Sequence, residues 1–230
     1  MSTLIVVPAY QAHRHLGGVL AEIDTHGRAL GRQSTPTILV VDDGSTDDTL
    51  GMARAAGVEC VRHPENRGKG AALHTGLEWA HSHGFTVMVS ADADGQHPGS
   101  EILRLVDLAA PANALILGVR DLAGSGAPRA NQFSNTISNR FLSLFTGQRL
   151  LDTQCGLRRY PVKETLALGC KDPGYAFEAE VILRAVRANL PIVQVPIQVR
   201  YPAGPERISH FRVARDPMRI VCRVVATLVE

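Results

Sequence analysis

The chain has 230 residues, 45% of them apolar and 20% charged, a balance that supports a sizeable buried core and argues against disorder. A net charge of +2 gives no global reason to expect a nucleic-acid partner, so any basic patch has to be local. Cys60, Cys155, Cys170 and Cys222 include no C-x-x-C pair, which speaks against a disulfide scaffold or zinc knuckle and fits the reduced thiols of a cytosol.

The N-terminus runs directly into Leu4-Ile5-Val6-Val7-Pro8, unlike a secretion signal, and no run reaches the roughly 18 apolar residues of a membrane span. The first half then alternates short Val/Ile-rich runs with amphipathic stretches, the pattern of βαβ units around a parallel sheet. The strands are expected at Leu4 to Val7, Ile38 to Val41, Val58 to Val61, Thr86 to Ser90 and Ala114 to Val119. Leu16, Val19, Leu20 and Ile23, and later Ile102, Leu103, Leu105 and Val106, recur at helical spacing. Beyond Arg120 the alternation stops. A Gly-rich loop at 124–128 precedes a helix carrying Phe133, Ile137, Phe141 and Phe145 on one face. A helix over Ala176 to Asn189 and a strand over Ile192 to Val199 follow. The expected organisation is one α/β domain spanning residues 1–230. It comprises a donor and metal half over 1–122, an acceptor half over 123–207 and an amphipathic C-terminal helix over 208–230.

Ligands of an open parallel sheet bind beyond the carboxyl ends of its strands, so the polar residues there carry the argument. The first strand ends in Pro8-Ala9-Tyr10, the second in Asp42-Asp43-Gly44-Ser45-Thr46-Asp47-Asp48, and the fourth in Asp92-Ala93-Asp94-Gly95-Gln96-His97-Pro98. Two carboxylates one residue apart suit a hard cation that keeps positions open for phosphate oxygens; they equally suit a turn that caps the helix starting near Pro98. Asp42 offers a carboxylate to a base or ribose, while Ser45 or Thr46 can cap a helix over Leu50 to Ala56. Asn66-Arg67-Gly68-Lys69-Gly70 places two glycines and two cations at a helix start, where an anion is favoured, without forming a Walker loop.

In this order and spacing these segments resemble the family 2 glycosyltransferases of GT-A fold, above all the branch that glycosylates dolichyl and bacterial polyprenyl phosphates. The resemblance continues through Gly118-Val119-Arg120, Asp152-Thr153-Gln154-Cys155-Gly156-Leu157 and Phe177-Glu178-Ala179-Glu180-Val181. It implies a mostly parallel central sheet flanked by helices and inverting transfer from a UDP- or GDP-linked sugar. It further implies that Pro8, Tyr10 and Asp42 contact the nucleoside, that Lys69 and Asp92 lie at the diphosphate, and that Asp92, Asp94 and Gln96 hold Mg2+ or Mn2+. One departure stands out: relatives commonly read P-x-Y-N-E at the first strand end, whereas this chain has Tyr10-Gln11-Ala12.

The acceptor is read from cations and carboxylates. A lipid phosphate, with a second pKa of about 6, is already an anion and needs cations, for which Arg120, Arg140, Arg207 and His210 are available. A hydroxyl acceptor needs a base within reach, and Asp152, Glu178 and Glu180 are the candidates, with Glu180 preferred. From Ile208 to Val229 the arginines 212, 215, 219 and 223 fall opposite Ala214, Met218, Val221, Val225 and Leu228. The segment is either a core-packed helix with a solvated basic side or a helix lying on anionic lipid at the cytoplasmic membrane face. Two readings of other classes stay open at this point: a nucleotidyltransferase, and a non-catalytic nucleotide-sugar binder.

Overall fold

The structure, a computed structural model, describes residues 2–31 and 36–201. Its elements are β1 (Thr3–Ala9), α1 (Leu16–Ala29), β2 (Thr37–Asp42), α2 (Thr49–Ala55), β3 (Glu59–Arg62), α3 (Lys69–Ser82) and β4 (Val87–Ser90). They continue with α4 (Gly99–Asp107), β5 (Leu115–Arg120), α5 (Arg129–Thr146), β6 (Arg158–Pro161), α6 (Val162–Ala167), α7 (Phe177–Arg187) and β7 (Ile192–Ile197). The strands form one sheet in the order β3-β2-β1-β4-β6-β5-β7, parallel throughout except for β6, which is antiparallel to both neighbours.

A sheet covered on both faces needs strands that are apolar on both sides, which is why β1 and β2 read as unbroken Val, Ile and Leu runs. Ile5 and Val7 of β1 pack with Leu16, Leu20 and Ile23 of α1 and Ile102, Leu103 and Leu105 of α4. Leu4 and Val6 face the other way, toward Leu73 and Leu77 of α3 and Phe177, Val181 and Ile182 of α7. The expected strands and helices of the donor half are all present within one or two residues.

Two features depart from expectation. The strand β6 has no apolar signature, since Arg158-Arg159-Tyr160-Pro161 carries two cations and a proline, yet all four residues are buried. Arg158, fully enclosed, donates from Nε to the Cys155 carbonyl (2.8 Å), from Nη1 to that of Glu178 (2.7 Å) and from Nη2 to that of Thr153 (2.7 Å). These bonds replace the water the guanidinium loses and tie the chain before β6 to the start of α7. The second departure is α5, whose buried side carries Ser134, Asn135, Ser138 and Thr146 around Leu142, while Phe133, Ile137 and Leu144 face outward.

Candidate functional site

Six strands leave the sheet at one rim, where β1 ends at Ala9, β2 at Asp42, β3 at Arg62, β4 at Ser90, β5 at Arg120 and β7 at Ile197. The loop after β2 is held by its own carboxylates. Asp42 is fully buried; its Oδ1 accepts the Ser45 N–H (3.0 Å) and its Oδ2 faces Arg62 Nε at 3.4 Å. Asp43 works across a longer span. Its Oδ1 accepts Arg67 N–H (2.9 Å) and its Oδ2 Gly68 N–H (2.7 Å), while His63 Nδ1 lies 2.6 Å from Oδ1. The other ring nitrogen, Nε2, lies 2.9 Å from the Thr75 hydroxyl, so Asp43 and His63 fix the Gly-Lys-Gly turn that begins α3. Asp43 was not separable from its neighbour by sequence, because only the fold shows which of two adjacent carboxylates turns toward residues 63–68.

Tyr10-Gln11, where the family pattern is broken, is tied to the same loop. Gln11 has a left-handed backbone (φ 52) and donates its N–H to Ser45 Oγ (3.0 Å) and its side-chain amide to Thr46 Oγ1 (2.8 Å). Its Oε1 accepts Asp47 N–H at 3.2 Å, so three hydrogen bonds hold a conformation that is unfavourable for a non-glycine residue. Pro8 and Tyr10 lie partly buried beside this junction.

Lys69 opens α3, and its ammonium sits between two carboxylates, 2.7 Å from Asp92 Oδ1 and 3.2 Å from Glu178 Oε1. Burial disfavours the charge on Lys69, but Asp92 and Glu178 outweigh that and keep it protonated. Burial would likewise raise the Asp92 carboxyl; Lys69, with His97 behind it, overcomes this and holds the group below the usual carboxylate range. Asp94 goes the other way. Enclosure and the charge of Asp92 push its carboxyl up, against the Gln96 N–H that donates to its Oδ1 at 3.0 Å. The flanking glycines serve packing. A Cβ on Gly68 would lie 2.5 Å from the Pro173 carbonyl oxygen, and one on Gly70 2.7 Å from both the Gly174 oxygen and Phe177 Cβ. The Ala71 N–H is already donated to the Pro173 carbonyl (2.9 Å), so it is the Lys69 side chain that carries positive charge to the rim.

The acceptor-half residues divide by geometry. At the end of β5, Arg120 clasps Asp152 from Nε to Oδ2 (2.7 Å) and Nη2 to Oδ1 (3.0 Å), and its N–H adds a third bond to Oδ2 (3.1 Å). Glu180 was expected to look into the site, but it is fully buried and turned to its own turn: Oε1 accepts Arg184 Nε (2.9 Å) and Oε2 the N–H groups of Lys171 (3.0 Å) and Asp172 (2.9 Å). It is Glu178 that reaches Lys69, and its buried Oε1 receives no hydrogen bond, although Arg158 Nε also lies 3.9 Å away. The two residues differ by two positions on α7 and so point to different sides of the helix. Arg140 is exposed on α5 and is not brought to the rim by any described contact. Arg207, His210 and the expected helix over 208–230 lie outside the described residues.

Gly156 explains the tight fit of the C-G-L turn. A Cβ there would fall 2.6 Å from Asp92 Oδ1 and closer still to Oδ2, while the Gly156 carbonyl accepts Ser90 Oγ at 2.6 Å. Gly156→Ala is therefore expected to displace the Asp92 carboxylate. Turnover should fall about a hundredfold, the usual cost of misplacing a reacting group by about 1 Å, with a change in melting temperature too small to account for it. Steady-state kinetics beside calorimetry tests this, and wild-type turnover would show that the carboxylate position is not critical.

A divalent cation can be tested against these groups. Four carboxylates, the part-buried Asp92 and Asp94 and the buried Asp152 and Glu178, face three cations, Lys69, Arg120 and Arg158, and the excess negative charge is concentrated in the upward push on Asp94. Among the described residues no group of three or more His, Cys, Asp or Glu side chains could hold a metal alone. The residues thus fit a cation that takes Asp92 and Asp94 and completes its shell with ligand oxygens, and do not fit a closed protein site. Gln96, the third expected ligand, accepts the Arg200 N–H on its backbone carbonyl (2.9 Å), and no described hydrogen bond engages its side chain. No helix among the described residues is long and apolar enough to cross a membrane.

The chain is similar to proteins of known activity. Polyprenol monophosphomannose synthase of Mycolicibacterium smegmatis is 30% identical over 207 residues, covering 85% of this chain and 76% of that protein. Undecaprenyl-phosphate mannosyltransferase of Micrococcus luteus is 29% identical over 212 residues, covering 86% and 83%. The crystal structure of glucosyl-3-phosphoglycerate synthase from Mycobacterium tuberculosis with Mn2+, uridine diphosphate and phosphoglyceric acid superimposes with a TM-score of 0.72. Its identity of 20%, over 99% of this chain and 77% of that one, is evidence for the GT-A fold alone. Residues 4–164 match Glycosyl transferase family 2, so the chain belongs to that family and is a glycosyltransferase.

Proposed function

We propose that the protein transfers a sugar from a nucleoside-diphosphate donor to a polyprenyl phosphate, with inversion at the anomeric carbon. The observation that carries this reading is the Lys69 ammonium clamped between Asp92 and Glu178, beside an Asp94 carboxyl that burial and Asp92 push upward. Such a cluster suits a diphosphate leaving group held with Mg2+ or Mn2+ by Asp92 and Asp94. A cation bound there supplies electrostatic stabilisation to the departing diphosphate. Lys69 orients the Asp92 carboxylate and shares that charge. The Asp42 and Gln11 loops, with Pro8 and Tyr10, line the nucleoside end of the crevice.

In this reading a phosphate oxygen of the acceptor forms the new bond to the anomeric carbon as the bond to the diphosphate oxygen breaks, and the electron pair leaves with the nucleoside diphosphate. The acceptor is supported by the relatives, named for polyprenol and undecaprenyl phosphate. It is supported also by the state of the carboxylates. Asp152 is occupied by Arg120, Glu180 by Arg184 and two backbone amides, and Glu178 faces Lys69, so none stands ready as a base for a hydroxyl. A phosphate acceptor needs no base; it needs cations, and Arg120 at the end of β5 would serve as one by exchanging its Asp152 pairing for the acceptor phosphate. Membership of a glycosyltransferase family sets the nucleotidyltransferase reading aside.

The test is transfer from radiolabelled UDP- and GDP-sugars, with Mg2+, Mn2+ or chelator, to either a short-chain polyprenyl phosphate or the corresponding polyprenol. Product from the phosphate alone is expected. Product from the alcohol, lost when Glu178→Gln replaces the wild type, would establish the hydroxyl reading instead.

A further inference from the structure

His97 ends the loop that follows β4, immediately before the Pro98 that leads into α4, and only 4% of it is exposed. A ring so enclosed ordinarily satisfies both nitrogens, because a buried polar atom without a partner has given up its water and gained nothing. Here only one nitrogen is accounted for. Nε2 lies 3.8 Å from Cys155 Sγ, whereas Nδ1 has no hydrogen-bond partner. What Nδ1 faces is the Asp92 carboxylate, whose Oδ2 stands 4.0 Å away, about 1 Å beyond hydrogen-bond reach.

The neighbours decide which nitrogen carries the proton. A bare Nδ1 would turn a lone pair toward a carboxylate oxygen, which repels it, while an Nδ1–H turns a donor toward an acceptor. Nε2 is then left to accept, and the Cys155 thiol can donate to it; the other acceptor open to that thiol, the Leu157 carbonyl, is no nearer at 3.9 Å. Burial pushes the thiol up to about 12, so it keeps the hydrogen it donates.

Asp92 has a use for such a donor. Its Oδ1 takes the Lys69 ammonium at 2.7 Å, but Lys69 is shared with Glu178 at 3.2 Å and sits on a flexible stem, so it holds the carboxylate without fixing its tilt. The oxygen turned to the ring is Oδ2. An imidazole enclosed in the core is a stiffer guide, and outer-shell donors of this kind orient the oxygens that bind a cation. The same ring touches the turn that carries Asp152, the partner of Arg120, so it spans the donor and acceptor loops.

We propose that His97 is a positioning residue whose Nδ1–H donates to Asp92 Oδ2 in the loaded site and sets the tilt at which that carboxylate meets the cation. The proposal rests on the reading of Asp92 as a cation ligand.

Two measurements test it. Mn2+ binding with UDP or with GDP, followed by the electron paramagnetic resonance of free Mn2+, compares the wild type with His97→Leu, which fills similar space without a donor, and His97→Asn, whose amide keeps a donor near the Nδ1 position. The leucine variant is expected to bind Mn2+ about tenfold to a hundredfold more weakly, at an equal or higher melting temperature, and the asparagine variant to recover most of that loss. In 15N-histidine spectra of the ligand-free wild type, where the His97 signals are identified by their loss in His97→Asn, Nδ1 is expected to carry the proton. A bare Nδ1, wild-type Mn2+ affinity in His97→Leu, or equal losses in both variants would each overturn the proposal. If the wild type itself bound no Mn2+ with either nucleotide, the cation reading of Asp92 would fall and the role of His97 with it, a result distinct from undiminished binding in the leucine variant.

Discussion

Lys69→Met is expected to lower the melting temperature by roughly 5–10 °C and to abolish transfer. The ammonium lies between Asp92 and Glu178 at 2.7 and 3.2 Å, and its removal leaves two carboxylates facing each other without a counter-charge. Breaking a buried ion pair costs about 3–5 kcal/mol. Asp92 keeps a 28% exposed side chain, so water moderates the loss to about 2–3 kcal/mol. At about 2–4 °C per kcal/mol for a chain of this length, the stated shift follows. A double variant, Lys69→Met/Glu178→Gln, separates structure from chemistry. Removing the opposing carboxylate should recover much of the melting temperature, because the two sites are in contact and not additive, but none of the turnover. Recovery of both would make Lys69 a structural residue only; no loss of stability in the single variant would mean that water already screens the pair.

Asp94→Asn is expected to lower turnover by about 10²–10³-fold while leaving the ligand-free protein as stable as before or more so. The sign follows from the direction of its shift. A carboxyl raised above its unfolded value prefers the neutral form when folded, so at neutral pH its charge opposes folding, and a neutral amide removes that opposition. The wild type should also gain melting temperature with a nucleoside diphosphate plus Mg2+ or Mn2+, since a ligand at a hundred times its Kd adds about 2.7 kcal/mol. The variant should lose the metal-dependent part of that gain. Higher stability with lower activity is the pattern of a residue kept for function against its own cost. A metal-dependent gain equal to the wild type's would remove Asp94 from the metal reading.

The donor half was legible because each parallel strand is an apolar run ending in Pro, Asp or Gly, and those ends are where the fold collects its polar residues. Asp92, Asp94, Lys69 and Asp42 all lie at that rim. What sequence did not convey are the features that depend on contacts between distant segments. The strand β6 rests on Arg158 finding carbonyls at positions 153, 155 and 178, and no local pattern announces an arginine as core. Between Glu178 and Glu180 the deciding factor is the rotation of α7 against the 171–172 turn, which composition cannot fix. The periodicity of α5 was readable, but its inner side was not, because Ser134, Ser138 and Asn139 had to meet Thr153 and Gln154 before the phenylalanines could be left outside.

The reversed direction of β6 also separates the molecule into a working end and a handling end. Ser90 sits opposite Arg158, so the turn through Cys155 and Gly156 arrives beside Asp92 just as the parallel strands depart. The loops that lead into β3 and β4 lie at the far end of the sheet. There Gly57 and Gly84 have open space around their Cα atoms and already adopt left-handed turns that side-chain-bearing residues would resist. An affinity handle, a surface tether or an inserted reporter joined beside these glycines would stand a full strand length from the crevice. The same graft between Asp152 and Leu157 would press directly on the carboxylate that Gly156 leaves room for.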